Sequence, residues 1–181
     1  MIYSAITGGK DAKRKDIKCF TAYNKFKDPR MNAKIYKVLS HLFVEDEYSV
    51  WIDGNLELKV DEEVLIDLLG DKDIAVFTHP YRTNVFDEAE ECKRLGLDNP
   101  EVIDEQIKRY GGGVYGLGAC YLIIRRHTEE VKRRNEAWWA EICRGSVRDQ
   151  LSFPYVFGDI VKYLPYEDPM NNQYFKRKSM E

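Results

Sequence analysis

Asp53 and Asn55, separated by Gly54 at the end of the apolar run Tyr48-Ser49-Val50-Trp51-Ile52, are the residues whose types and spacing point most directly to chemistry. A strand that buries Val50 and Ile52 and releases Asp53 and Asn55 at its end sets two oxygen ligands at a sheet edge. Hard cations such as Mg²⁺ or Mn²⁺ take carboxylate and amide oxygens and keep room for substrate phosphates. The same residues also close a strand in an ordinary Asp-Gly turn, which needs no metal. Arg30, Lys34 and Lys37 recur at helical spacing, a basic stripe that is either solvated or turned toward phosphates. His41 ends an apolar helical face as a cap or a ligand, His79 precedes Pro80 at a strand end, and His127 follows two arginines and is expected to be exposed.

The elements that must position these groups follow in order. Ile2 to Thr7 reads as a first strand, and Gly8-Gly9-Lys10-Asp11 as a turn where backbone can approach a ligand. Asp16 to Ala22 alternates as a second strand. From Pro29, a helix-start residue, Met31, Ile35, Val38, Leu39 and Leu42 recur at helical spacing. Leu56 to Val60 alternates again, and Asp61 opens a helix whose core face is Val64, Leu65, Leu68 and Leu69 and which stops at Gly70. Ile74 to Thr78 is a buried strand, Asn84 to Leu95 and Glu101 to Tyr110 are helices, and Ala119 to Ile124 is another buried strand. Five glycines between Gly111 and Gly118 predict a mobile wall beside a pocket. Thr128 to Arg144 is a helix whose adjacent Trp138 and Trp139 cannot share one face, so one packs on a neighbouring element.

Strands alternating with helices predict an α/β fold, a single domain with a mostly parallel central sheet over residues 1–158 and a wrapping or flexible tail over 159–181. Ligands in such sheets sit beyond the carboxyl ends of the strands. The chain has 181 residues and a formal charge of −3, so the general attraction expected of a nucleic-acid binder is missing. Lys13-Arg14-Lys15 and Lys176-Arg177-Lys178 read as solvated faces or tails. Cys19, Cys92, Cys120 and Cys143 form no CxxC pair and predict neither zinc nor disulfides. With no run long enough to span a bilayer and no signal peptide at the first residues, a soluble cytoplasmic protein is expected.

The ordered set Arg30 to Lys37 with His41, Tyr48 to Asn55, His79 to Arg82 with Glu88, and Arg148-Asp149-Gln150-Leu151-Ser152-Phe153 resembles the TOD1/MUCI70 glycosyltransferase-like family, long called the domain of unknown function 616. The resemblance implies a GT-A type fold that binds a nucleotide-sugar donor, a UDP- or GDP-sugar, through Mn²⁺ or Mg²⁺ and transfers the sugar to a glycan or other hydroxyl acceptor. It implies that Asp53 and Asn55 hold the metal and that Asp149 and Gln150 lie beside the donor sugar as the catalytic pair. Arg30, Lys34 and Lys37 would neutralise the diphosphate, and Thr7, Gly8 and Gly9 would pass close to the nucleotide. Arg82 and Arg148 either join the donor site or pair with Glu88 and Asp149. No histidine follows His127, so Asp159, Glu167, Asp168 or water would complete a metal shell. A non-catalytic nucleotide- or carbohydrate-binding relative is the alternative.

Overall fold

A computed structural model describes residues 1–9, 12–113 and 115–178. In chain order the elements are β1 (Ile2–Ala5), β2 (Lys18–Phe20), α1 (Pro29–Val38), β3 (Tyr48–Ile52), β4 (Leu56–Leu58), α2 (Glu62–Asp67), β5 (Ile74–Thr78), α3 (Val85–Arg94), α4 (Pro100–Tyr110), β6 (Gly118–Arg126), α5 (Glu129–Arg144), α6 (Asp149–Phe157), β7 (Lys162–Leu164) and β8 (Phe175–Arg177). Helix starts follow local chemistry. Asp28 caps α1 by accepting from Arg30 N, with Pro29 next in line, and the Asn84, Asn99 and Thr128 side chains cap α3, α4 and α5. A short 3₁₀ turn, Ser40–Leu42, follows α1, and Leu42 is exposed there instead of extending the apolar face of the helix.

The main sheet has the order β2-β1-β3-β6-β5-β7. β2, β1 and β3 pair in parallel, as do β5 and β7, while β6 runs antiparallel to both β3 and β5. Five strands therefore share one direction, and the N-terminal end of β6 meets their carboxyl ends. β4 and β8 form a separate antiparallel pair. The segment after Asp159 thus supplies one strand to the edge of the main sheet and another to the small one.

Alternation along the strands divides the core between the two faces of the sheet. Tyr3, Trp51, Val76 and Ile123 pack with α1, α5 and α6 on one side. Val50, Ile52, Ala75, Phe77, Leu122 and Ile124 pack with Leu65, Leu69 and Phe175 on the other. Trp138 is fully buried and meets Phe153 and Phe157 of α6 edge-on, while Trp139 turns to Phe26. The β5–β6 register shifts between Val76 and Phe77, next to Gly118, where a Cβ would lie 2.4 Å from Val76 Cγ2. Only a glycine lets the two strands close there.

Polar groups are also buried behind α1. Arg125 is wholly enclosed, donates to Lys37 O at 2.8 Å and sits 5.7 Å from the centre of the Trp138 ring. His127 is half-buried, with Nε2 2.8 Å from Ser49 Oγ, so it is a packing histidine and not the exposed one its neighbours suggested. Burial and the nearby Arg125 push its imidazole down to about 4. Arg14, expected on a solvated face, is buried and paired with Asp16. No helix among the described residues is long and apolar enough to cross a membrane.

Candidate functional site

The carboxyl ends of β1, β3 and β5 and the first residues of β6 open into one cleft of about 460 Å³. Ala5, Asp53, His79 and Cys120 come from the sheet. α1 contributes Arg30, Lys34 and Lys37, the start of α6 contributes Arg148, Asp149 and Gln150, and the C-terminal segment closes the far side with Pro169, Met170 and Arg177. This is the edge at which open α/β sheets bind ligands.

At the cleft floor α1 is tied to α6 by charge. Lys37 Nζ lies 2.6 Å from Asp149 Oδ2 and 3.5 Å from Asp53 Oδ1, and Lys34 Nζ lies 3.2 Å from Asp149 Oδ1. Asp149 is 5% exposed at the first turn of α6, where a negative charge also suits the helix dipole. Burial pushes its carboxyl up, but the two ammonium groups win and hold it well below the usual carboxylate range. Burial opposes the charge on Lys37 too, yet two carboxylates keep it above the ordinary lysine value. Lys34 is pulled down by burial, which with the like-charged Lys37 outweighs the pull of Asp149 and Asp53. A carboxylate so stabilised is a poor base, and what it can offer a ligand is charge and position.

Among the described residues, five cations, Arg30, Lys34, Lys37, Arg148 and Arg177, and two carboxylates line the cleft. Arg30 is exposed and forked onto Asp28. Arg148 and Arg177 pair with no carboxylate among the described residues, and Arg148 Nε is buried without a hydrogen-bond partner. Tyr121 OH is also buried and unpartnered in the cleft wall, and burial pushes its phenol up to about 12 despite the opposing pull of Arg177. His79 accepts from Tyr81 N and Arg82 N through Nδ1, which fixes its proton on Nε2 in the neutral form. Burial lowers its pKa and favours that form.

The structure brings together Asp53, Arg30, Lys34, Lys37, Arg148, Asp149 and Gln150, and leaves other expected residues outside. Asn55 is exposed, does not line the cleft, and its backbone oxygen accepts from Lys178 N. Thr7 donates to Pro29 O, and Gly8 adopts φ 85° where a Cβ would lie 2.9 Å from Pro29 Cβ, so this loop seats β1 against α1. Gly9 is exposed, and Lys10 and Asp11 of the same turn lie outside the described residues. Arg82 pairs with buried Glu88 and serves α3. In the glycine-rich stretch Val114 lies outside the described residues, Tyr115 packs toward Tyr110 and Tyr155, and Gly118 O accepts from Gln150 Nε2 at 3.5 Å. Arg177 and Tyr121 were the residues that patterning missed. Arg177 sat in a basic run that resembled a tail, and Tyr121 in an apolar strand.

These groups do not fit a divalent metal centre. Asp53 Oδ1 already accepts from Trp51 Nε1 at 2.9 Å and faces Lys37, leaving one carboxylate oxygen. Asp149 has both oxygens on lysines, and Asp159 is held by Arg134. No group of three His, Cys, Asp or Glu side chains that could hold a metal occurs among the described residues.

Comparison with known proteins places the chain in a family and a fold. A family model described as TOD1/MUCI70, glycosyltransferase-like domain, matches residues 19–180. The Arabidopsis thaliana protein named Probable hexosyltransferase MUCI70 is 33% identical over 147 residues, 72% of this chain and 25% of its own. Another from the same plant, named Alkaline ceramidase TOD1, is 34% identical over 157 residues, 77% of this chain and 34% of its own. The chain thus spans about a quarter of one relative's length and about a third of the other's. Among solved structures, a glycosyltransferase involved in the glycosylation of the major capsid of PBCV-1 superposes with a TM-score of 0.53 at 9% identity, covering 97% of this chain and 92% of that one. At that identity the likeness shows a shared GT-A type fold.

Proposed function

This chain belongs to the TOD1/MUCI70 glycosyltransferase-like family, and from that premise we propose that its cleft binds a nucleotide-sugar donor and moves the sugar to an acceptor hydroxyl. The observation that carries the reading is the charge of the cleft: among the described residues, five cations against two carboxylates, at the ligand-binding edge of the sheet, in a chain whose formal charge is −3. Such a site concentrates an anionic ligand, and the diphosphate of a UDP- or GDP-sugar has the charge it suits.

The transfer breaks the bond between the sugar's anomeric carbon and the diphosphate oxygen, and the electron pair leaves on the phosphate. The acceptor oxygen bonds the same carbon, and its proton ends on the departing diphosphate or in solvent. Preformed cations lower the barrier because the charge on the leaving oxygen grows in the transition state. Lys34 and Lys37 keep spare N–H donors after binding Asp149, whose carboxylate fixes where those donors stand. Gln150 orients the sugar with a neutral amide. The charged lining favours this chemistry over the amide hydrolysis that the name of the second plant relative denotes, since an acylated lipid has little to gain from five cations.

Nucleoside-diphosphate release from a panel of nucleotide sugars, with and without glycan acceptors, tests the reading. At least one donor should release its diphosphate, and Gln150→Ala should slow that release by about 10- to 100-fold. Binding without turnover on every donor and acceptor would favour a carbohydrate- or nucleotide-binding relative.

A further inference from the structure

We propose that the diphosphate is held by the chain's own guanidinium groups, Arg148 and Arg177, without a divalent metal, an inference that rests on the donor-site reading above. A metal in such a site bridges protein carboxylates and phosphate oxygens. Here the carboxylates are committed elsewhere: Asp149 to Lys34 and Lys37, and one oxygen of Asp53 to the Trp51 indole. A divalent ion on the remaining oxygen of Asp53 would also stand beside the Lys37 ammonium, itself 3.5 Å from that carboxylate. Like charges at that range repel strongly away from bulk water. Asn55, the second ligand that the metal would need, is not in the cleft.

The cations that remain unmatched have the chemistry to replace it. Arg148 approaches from the start of α6, next to Asp149, and its Nε is buried with no partner. Arg177 approaches from β8, near Tyr121, whose buried hydroxyl also lacks a partner. The two flank one cleft from different elements. Guanidinium groups bind phosphate oxygens through paired N–H donors and stay charged at every physiological pH. A buried donor without a partner is costly in the free protein, and a phosphate oxygen removes that cost on binding.

Calorimetric titration of the full chain with UDP and with GDP, each in EDTA and in excess MnCl₂, separates the outcomes. The tighter of the two should bind with a Kd that differs by less than about threefold between buffers, and Arg148→Ala and Arg177→Ala should each weaken it by about 10- to 100-fold. Arg177 is exposed, so its variant keeps the fold and tests the idea even if Arg148→Ala unfolds. Asp53→Asn keeps an oxygen for Trp51 but removes the charge a metal would require; it should bind the nucleotide no more weakly. Binding only in MnCl₂, or a loss of more than about tenfold in Asp53→Asn, overturns the inference and leaves the donor-site reading intact. No binding of either nucleotide in either buffer contradicts both.

Discussion

Asp149→Ala should lower the free energy of unfolding by about 3–5 kcal/mol in urea denaturation and abolish sugar transfer. The carboxylate is almost fully enclosed and touches two ammonium groups, at 2.6 and 3.2 Å. Removing it leaves Lys34 and Lys37 facing each other in the cleft floor with Asp53 alone to compensate them. The cost of an uncompensated buried charge exceeds what the ion pairs contribute in the native protein, which is why truncating one partner is so damaging. The pH dependence has a definite sign. The carboxyl of Asp149 is lowered on folding, so its stabilisation is fully present above the unfolded value near 3.8 and is lost as pH falls below it. The wild-type chain should therefore lose stability below about pH 4, and the variant should show a shallower fall in that window. A change in unfolding free energy under about 1 kcal/mol would mean that the lysines find other partners.

Trp138→Ala has the next largest expected effect, a loss of about 3–5 kcal/mol. Its ring is fully buried, meets Phe153 at 5.1 Å and Phe157 at 5.7 Å, and lies under the Arg125 guanidinium. Its indole Nε1 donates to Asp149 O at 3.2 Å and to Ser152 Oγ at 3.1 Å. Trp138 therefore fixes the start of α6, and with it the carboxylate that organises both lysines. Trp138→Phe keeps most of the packing and removes the donor, so its stability cost should be nearer 1 kcal/mol. Thermal melts and urea curves measure the stability of both variants. Nucleotide affinity of Trp138→Phe measures how far α6 has shifted, and an unchanged affinity would assign the indole to packing alone.

Local chemistry made much of the fold legible. Pro29, Asn84 and Thr128 fell at helix starts, Glu101 fell one residue inside α4, and the apolar runs Val50 to Ile52 and Ile74 to Thr78 marked buried strands. Direction was not legible: an apolar run such as Ala119 to Ile124 reads the same whether its strand is parallel or antiparallel, and β6 proved antiparallel. α6 escaped periodicity because it is buried on nearly all sides and contains Pro154, which removes the polar stripe that usually shows a helix. β7 and β8 are three residues each, too short for a period.

At the site, the residue types were readable but their pairing was not. Lys34, Lys37 and Asp149 stood out separately, yet the ion pairs that join them link α1 to α6 across more than a hundred residues. That contact makes two of the expected phosphate ligands partners of Asp149 as well, so the carboxylate sets where their free N–H donors stand. Asp53 and Asn55 looked equivalent because their spacing fits a metal pair, but the turn at Gly54 leaves Asp53 in the cleft and Asn55 outside it. Spacing in a turn fixes neighbours along the chain, whereas a ligand set is fixed by which side chains the turn leaves facing inward.

A crystal structure of the chain soaked with UDP or GDP tests the central claim most directly. Donor binding predicts the diphosphate between α1 and the start of α6, within hydrogen-bond reach of Arg148 and Arg177, with the β-phosphate nearest Lys34 and Lys37. A diphosphate bound outside this cleft, with Asp149 and its two lysines facing only solvent, would contradict it.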